Sequence, residues 1–135
     1  MSALTRVLFP APAEVRTTGA IFRWWESRRL TFNLVVGGVG LVTLAAMKVI
    51  ALLPPLSMNM PIFWPGVLAY GVLANLFYSL GFMTEAVMQR AWRDDTPRVG
   101  PPLFRQGLIF SVGLTLLPIA MFGIAKTVML LKALF

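Results

Sequence analysis

Three stretches of the chain run without a charged side chain for about the length of a membrane crossing: Leu30 to Met47, Ile62 to Thr84 and Gln106 to Ala125. A helix needs about 20 mostly apolar residues to cross a hydrocarbon core. The first run continues through Lys48 to Leu53 before Pro54 and Pro55 stop it, and Lys48 lies close enough to the end to extend its stem toward the headgroups. The second run opens on Pro61, Trp64 and Pro65, as suits an entry turn with an interfacial ring. Its helical pattern persists through Glu85, Gln89, Arg90 and Trp92 as a short amphipathic extension, and Asp94, Asp95, Thr96 and Pro97 end it. The third run follows the breaker Gly100-Pro101-Pro102 and carries Pro118 inside it. That proline predicts a kink, with a freed carbonyl near Leu114 that Thr115 is placed to satisfy.

These runs predict an all-α integral membrane protein with three transmembrane helices in one domain, residues 1–135. Residues 22–53 form an interfacial segment and the first span, 62–92 the second span with its extension, and 103–132 the third. Residues 1–19 carry Pro10, Pro12 and Gly19 and read as an extended arm. Ala11-Pro12-Ala13 superficially matches a signal-peptidase site, but the preceding apolar stretch Val7 to Phe9 is too short for one.

Basic residues set the orientation. Arg6, Arg16, Arg23, Arg28 and Arg29 precede the first span, and Arg90, Arg93, Arg98 and Arg105 lie between the second and third. Excess Lys and Arg mark cytoplasmic segments. The loop from Pro54 to Pro61 has no charge. The expected topology is therefore N-terminus in the cytoplasm and C-terminus outside, a multi-pass protein of a bacterial inner membrane.

Composition sharpens this picture by exclusion. Hydrophobic residues make up 58% of the chain and charged residues 13%, outside the usual balance of soluble domains. The net charge of +7 sits outside the apolar runs, which suits topology and anionic phospholipids rather than nucleic acid. With no Cys and no His, the chain offers no thiolate or imidazole ligand, so no metal site is expected and no haem or chlorophyll can be held through His. No cofactor is assigned, although bound lipid or a pigment held by another ligand type remains compatible.

The densest motif is Phe22-Arg23-Trp24-Trp25-Glu26-Ser27-Arg28-Arg29-Leu30-Thr31-Phe32-Asn33. Trp rings favour the headgroup layer, Arg meets lipid phosphates, and Glu26 is spaced to pair with Arg23 or Arg29 on a helix. Trp24, Trp25, Glu26, Arg28 and Arg29, together with Trp64, Arg90, Trp92 and Arg93, are the expected lipid anchors or partner contacts. The Trp-Trp-Glu-x-Arg-Arg pattern with its following aromatic-Asn resembles that of a group of small bacterial integral-membrane proteins. The resemblance covers Phe22 to Asn33, implies a bacterial membrane protein, and brings no activity with it.

Small residues recur along each span: Gly37, Gly38 and Gly40 in the first, Gly71, Asn75 and Ser79 in the second, Gly107, Ser111 and Thr115 in the third. Such stripes let helices approach closely, so they are the expected packing surfaces. Asn75 lies near the middle of its span, where an amide requires a hydrogen-bond partner on another helix, a ligand or water. Large residues such as Phe77, Phe82, Phe110 and Phe122 are left for the outward faces, and the eight Met residues suit adaptable packing.

Transporters place ionisable groups within their spans, and none stands within the three uncharged runs. An enzyme needs an acid–base pair, a nucleophile or a metal. Glu14, Glu26, Glu85, Asp94 and Asp95 are scattered, and Glu85 near Arg90 is the best of a poor set. The expected function is a non-enzymatic accessory subunit within a larger bacterial membrane complex, respiratory or photosynthetic, with other membrane subunits and anionic phospholipids as partners. A small transporter and a lipid-acting membrane enzyme are the alternatives.

Overall fold

A computed structural model describes residues 17–54, 57–59, 61–92 and 99–135, with only the backbone described for Trp92 and Leu134. The described residues form three long helices and no strand: α1 Thr18–Leu52, α2 Trp64–Trp92 and α3 Gly100–Leu134. All three are long and apolar enough to cross a membrane, with best-window mean hydropathies of 2.1, 1.5 and 2.2. At 35 residues each, α1 and α3 extend roughly 50 Å. That exceeds the thickness of a hydrocarbon core, about 30 Å.

The helix ends follow local chemistry. Thr17 caps α1, its hydroxyl accepting from the Ala20 amide at 3.2 Å. Thr18 and Gly19 therefore belong to the helix rather than to an extended arm; residues 1–16 of that expected arm lie outside the described residues. Leu53 turns into extended backbone before Pro54, which has no amide hydrogen to continue the ladder. Gly100, Pro101 and Pro102 form the first turn of α3 instead of breaking the chain before it. A first-turn proline sacrifices no intrahelical hydrogen bond and brings a preset φ. The helix starts three residues earlier than the apolar pattern suggests for that reason.

α3 continues as one helix through Pro118. The Thr115 hydroxyl donates to the Ser111 carbonyl at 2.6 Å, so it serves the preceding turn and not the Leu114 carbonyl that the proline frees.

α1 packs more extensively on α3 than either packs on α2. The chain's buried core gathers at one end, hereafter the Trp25 end, where Ile21, Trp25, Phe32 and Val36 of α1 meet Tyr78 of α2 and Phe104 of α3. Toward the opposite Lys48 end the helices part around a cleft. Ala51 is nonetheless buried there, and Lys126 of α3 donates to the carbonyls of Ile50 and Leu53. The Ile50 carbonyl otherwise accepts only a long bond from the Leu53 amide, at 3.4 Å, so the ammonium closes the helix end as a side-chain cap.

Candidate functional site

The buried residues define one inward face on each helix. On α1 it runs Ile21, Trp25, Arg28, Phe32, Val36, then Thr43; on α2 it includes Tyr70, Ala74, Tyr78 and Glu85; on α3 it includes Phe104, Leu108 and Thr115. Steps of three, four and seven keep such positions on one side of a helix.

At the Trp25 end three elements converge on Glu85, which is 6% exposed. Trp25 Nε1 donates to Glu85 Oε2 at 2.7 Å. The carboxylate also lies against the start of α3, where a Cβ on Gly100 would stand 2.5 Å from Oε2. Only glycine admits the anion this close, and the positive end of the helix dipole favours it there. Gly81 plays a matching part opposite: a Cβ would meet Cη2 of Trp25 at 2.6 Å. Trp25 is thus wedged between α2 and α3, with Tyr78 at 5.2 Å and Phe104 at 6.1 Å between ring centroids, both edge-on.

The arginines of the motif divide. Arg28 is 5% exposed; it stacks 3.8 Å over the Trp24 ring and donates to the Trp24 carbonyl at 2.7 Å. Its Nε and the Trp24 Nε1 are buried without a partner. Arg29 instead holds Glu26 through a short contact at 2.7 Å, the only ion pair among the described residues, and reaches Ser79 of α2 at 3.3 Å.

The expected anchors therefore separate. Trp25 and Arg28 are buried in the bundle, with Glu85 and Trp24 as their partners. Trp64, 60% exposed at the Lys48 end, and Arg90 on α2 face outward. Trp92 ends α2 with its side chain undescribed, and Arg93 lies outside the described residues.

Midway along the bundle hydroxyls link all three helices. The Tyr70 phenol reaches the Ser111 carbonyl at 3.2 Å and the Thr115 hydroxyl at 2.5 Å, while Thr43 donates to the Thr115 carbonyl at 3.0 Å. Asn33 and Asn75 exchange amide hydrogen bonds between α1 and α2 at 3.3 and 2.9 Å. Ser111 and Thr115 thus join a polar seam.

The glycines of the small-residue stripes behave differently. Only at Gly40 would a Cβ come near a neighbour, 3.8 Å from Thr115 Cγ2; a Cβ at Gly37, Gly71 or Gly107 would meet nothing within 4 Å. Those three are open surface within the chain, not contacts between its helices.

From the Asn33–Asn75 pair to the Lys48 end, a cleft of about 1120 Å³ opens between the three helices. Its wall is mostly apolar, with Val36, Met47, Val67, Leu117 and Phe122 among the lining residues, and Lys48 is its only charged one. A second groove, along the flank of α2, is lined by Gly71, Asn75, Ser79 and Arg29.

Tyr70, Tyr78 and Gly81 escaped the sequence reading, which took Gly100 only as part of a helix breaker. The signal existed in part: Tyr70, Tyr78 and Glu85 are among the groups of α2 whose polar atoms require partners in an apolar setting, and these three share one face. Compared with protein families, characterised proteins and solved structures, the chain finds no match in any of the three.

Proposed function

We propose that this chain is a small accessory subunit of a larger membrane complex, lying in the inner membrane of a bacterium with its N-terminus and the 93–98 connection in the cytoplasm. One observation carries the reading. Gly38, Gly107, Gly113 and Gly123 lie outside the lining of the cleft, yet a Cβ on any of them would meet nothing within 4 Å. Bilayer helices concentrate small residues where backbones approach one another, and among the described residues nothing from another helix lies within 4 Å of a Cβ at these positions. A neighbouring subunit supplies the missing partner.

The Trp25 end supports the same reading from a different direction. Its buried Arg28 and Glu85 are engaged with Trp24, Trp25 and the start of α3, so its polar groups brace the bundle and leave the outward faces free for lateral contact. The arginine-rich segments then set topology and meet anionic headgroups.

The test is purification from the native membrane in mild detergent, followed by mass identification of co-migrating proteins. The reading expects a membrane protein in fixed stoichiometry with this chain, released by Gly107→Leu together with Gly113→Leu. Migration as an isolated chain would overturn it.

A further inference from the structure

The cleft at the Lys48 end has a length, a wall and a charge, and these select an occupant. From Asn33 to Lys48 the wall of α1 runs roughly 22 Å at the usual helical rise. One leaflet with its headgroups is about 20 to 22 Å thick. The deep end is closed by the Asn33–Asn75 pair, whose amides satisfy each other. Beyond that pair stands the aromatic cluster around Tyr78. Tyr70, Thr43 and Thr115 are likewise bonded within the seam. Along the wall between, the surface is apolar, and an apolar void forfeits dispersion contacts until something apolar fills it.

Lys48 is the exception. It is half-buried and lines the cleft, and among the described residues it has neither a hydrogen-bond partner nor an ion pair. Lys126, the neighbouring ammonium at that end, is already taken up by the Ile50 and Leu53 carbonyls. Lys48 is therefore a cation held at the mouth of an apolar slot one leaflet deep, and in such low-dielectric surroundings an anion at its head is favoured.

We infer that the cleft binds one anionic phospholipid of the leaflet at the Lys48 end, its acyl chains along Val36, Val67 and Leu117 and its phosphate on the Lys48 ammonium. This rests on the membrane reading above but not on the presence of a partner subunit. A transmembrane segment of a partner would fill the apolar wall yet leave the ammonium without an anion, which is why the lipid is favoured.

The experiment uses the full chain, purified and delipidated in detergent, then titrated with an anionic or a zwitterionic phospholipid carrying identical acyl chains, with bound lipids counted by native mass spectrometry. The wild type should bind one anionic lipid about fivefold more tightly than the zwitterionic one, the preference one lysine confers near a lipid surface. Lys48→Gln should abolish that preference while still binding lipid, Lys48→Arg should restore it, and Lys132→Gln should leave it unchanged. Gly37→Leu, which projects a side chain into the cleft where nothing lies within 4 Å, should weaken both lipids. Equal preference in wild type and Lys48→Gln would overturn the inference, as would undiminished binding by a folded Gly37→Leu. If Gly37→Leu does not fold, the three lysine variants decide the matter. A co-purifying segment that blocks lipid uptake would also overturn it, whereas a missing partner with intact lipid preference would count only against the accessory-subunit reading.

Discussion

Trp25 of α1 and Glu85 of α2 are sixty positions apart in the chain, and their side chains form the buried polar contact at the centre of the Trp25 end. The indole donates to a carboxylate that is almost wholly removed from solvent, so each group depends on the other. Trp25→Phe removes the donor and leaves the anion buried, with an expected loss of about 2 kcal/mol. Adding Glu85→Leu should recover part of it, because replacing both partners removes the unsatisfied group. Reversible unfolding in mixed micelles of a denaturing detergent measures both, and a double variant less stable than Trp25→Phe alone would contradict the pairing.

Gly81 faces the same indole. Gly81→Ala places a methyl 2.6 Å from Trp25 Cη2, against a ring held on its other sides by Tyr78 and Phe104. Overpacking of this kind costs about 1 to 3 kcal/mol. Gly113→Ala meets nothing within 4 Å and should be neutral or slightly stabilising in the isolated bundle, since alanine favours helix by up to about 1 kcal/mol over glycine. The same unfolding assay separates the two, and equal stability would place α2 elsewhere relative to Trp25.

The Asn33–Asn75 exchange lends itself to a double-mutant cycle. Interhelical hydrogen bonds within membranes average about 0.6 kcal/mol and reach roughly 1.7. Asn33→Ala, Asn75→Ala and the pair together should show a coupling within that range. A coupling indistinguishable from zero would mean that the amides do not meet in the membrane.

Topology is checked with single cysteines in a chain that has none of its own. The proposed orientation puts both arginine-rich segments in the cytoplasm, so Ser57→Cys should react with an impermeant thiol reagent added outside intact cells, and Arg98→Cys should react only after lysis. The reverse pattern would invert the orientation.

The number and approximate limits of the helices were legible in the sequence because uncharged length and breakers determine them directly. Leu30 to Met47 and Gln106 to Ala125 each lie inside one observed helix, and Ile62 to Thr84 does so from Trp64 onward. The starts of α1 and α3 moved outward where a local device extends the helix, the Thr17 cap for α1 and the first-turn prolines for α3, whereas α2 starts at Trp64, inside the expected limit at residue 62. The pairing of Glu26 with Arg29 is also a matter of helical spacing and involves no fold.

Which face of each helix turns inward was decided by tertiary structure alone. In α2 the small-residue stripe Gly71, Asn75, Ser79 lies one position from Tyr70, Ala74 and Tyr78, a rotation of about 100°. That offset carries Gly71 into open space, while Asn75 and Ser79 reach α1 only from the edge. A soluble helix reveals its buried side by contrast with polar residues opposite. Here all three helices are apolar nearly all round, and lipid is as apolar as a neighbouring helix, so periodicity does not distinguish core from surface. What distinguishes them is shape and polar partnership: a glycine that admits Trp25, another that admits Glu85, and hydroxyls that find each other across three helices. Such matches exist only once the helices are side by side.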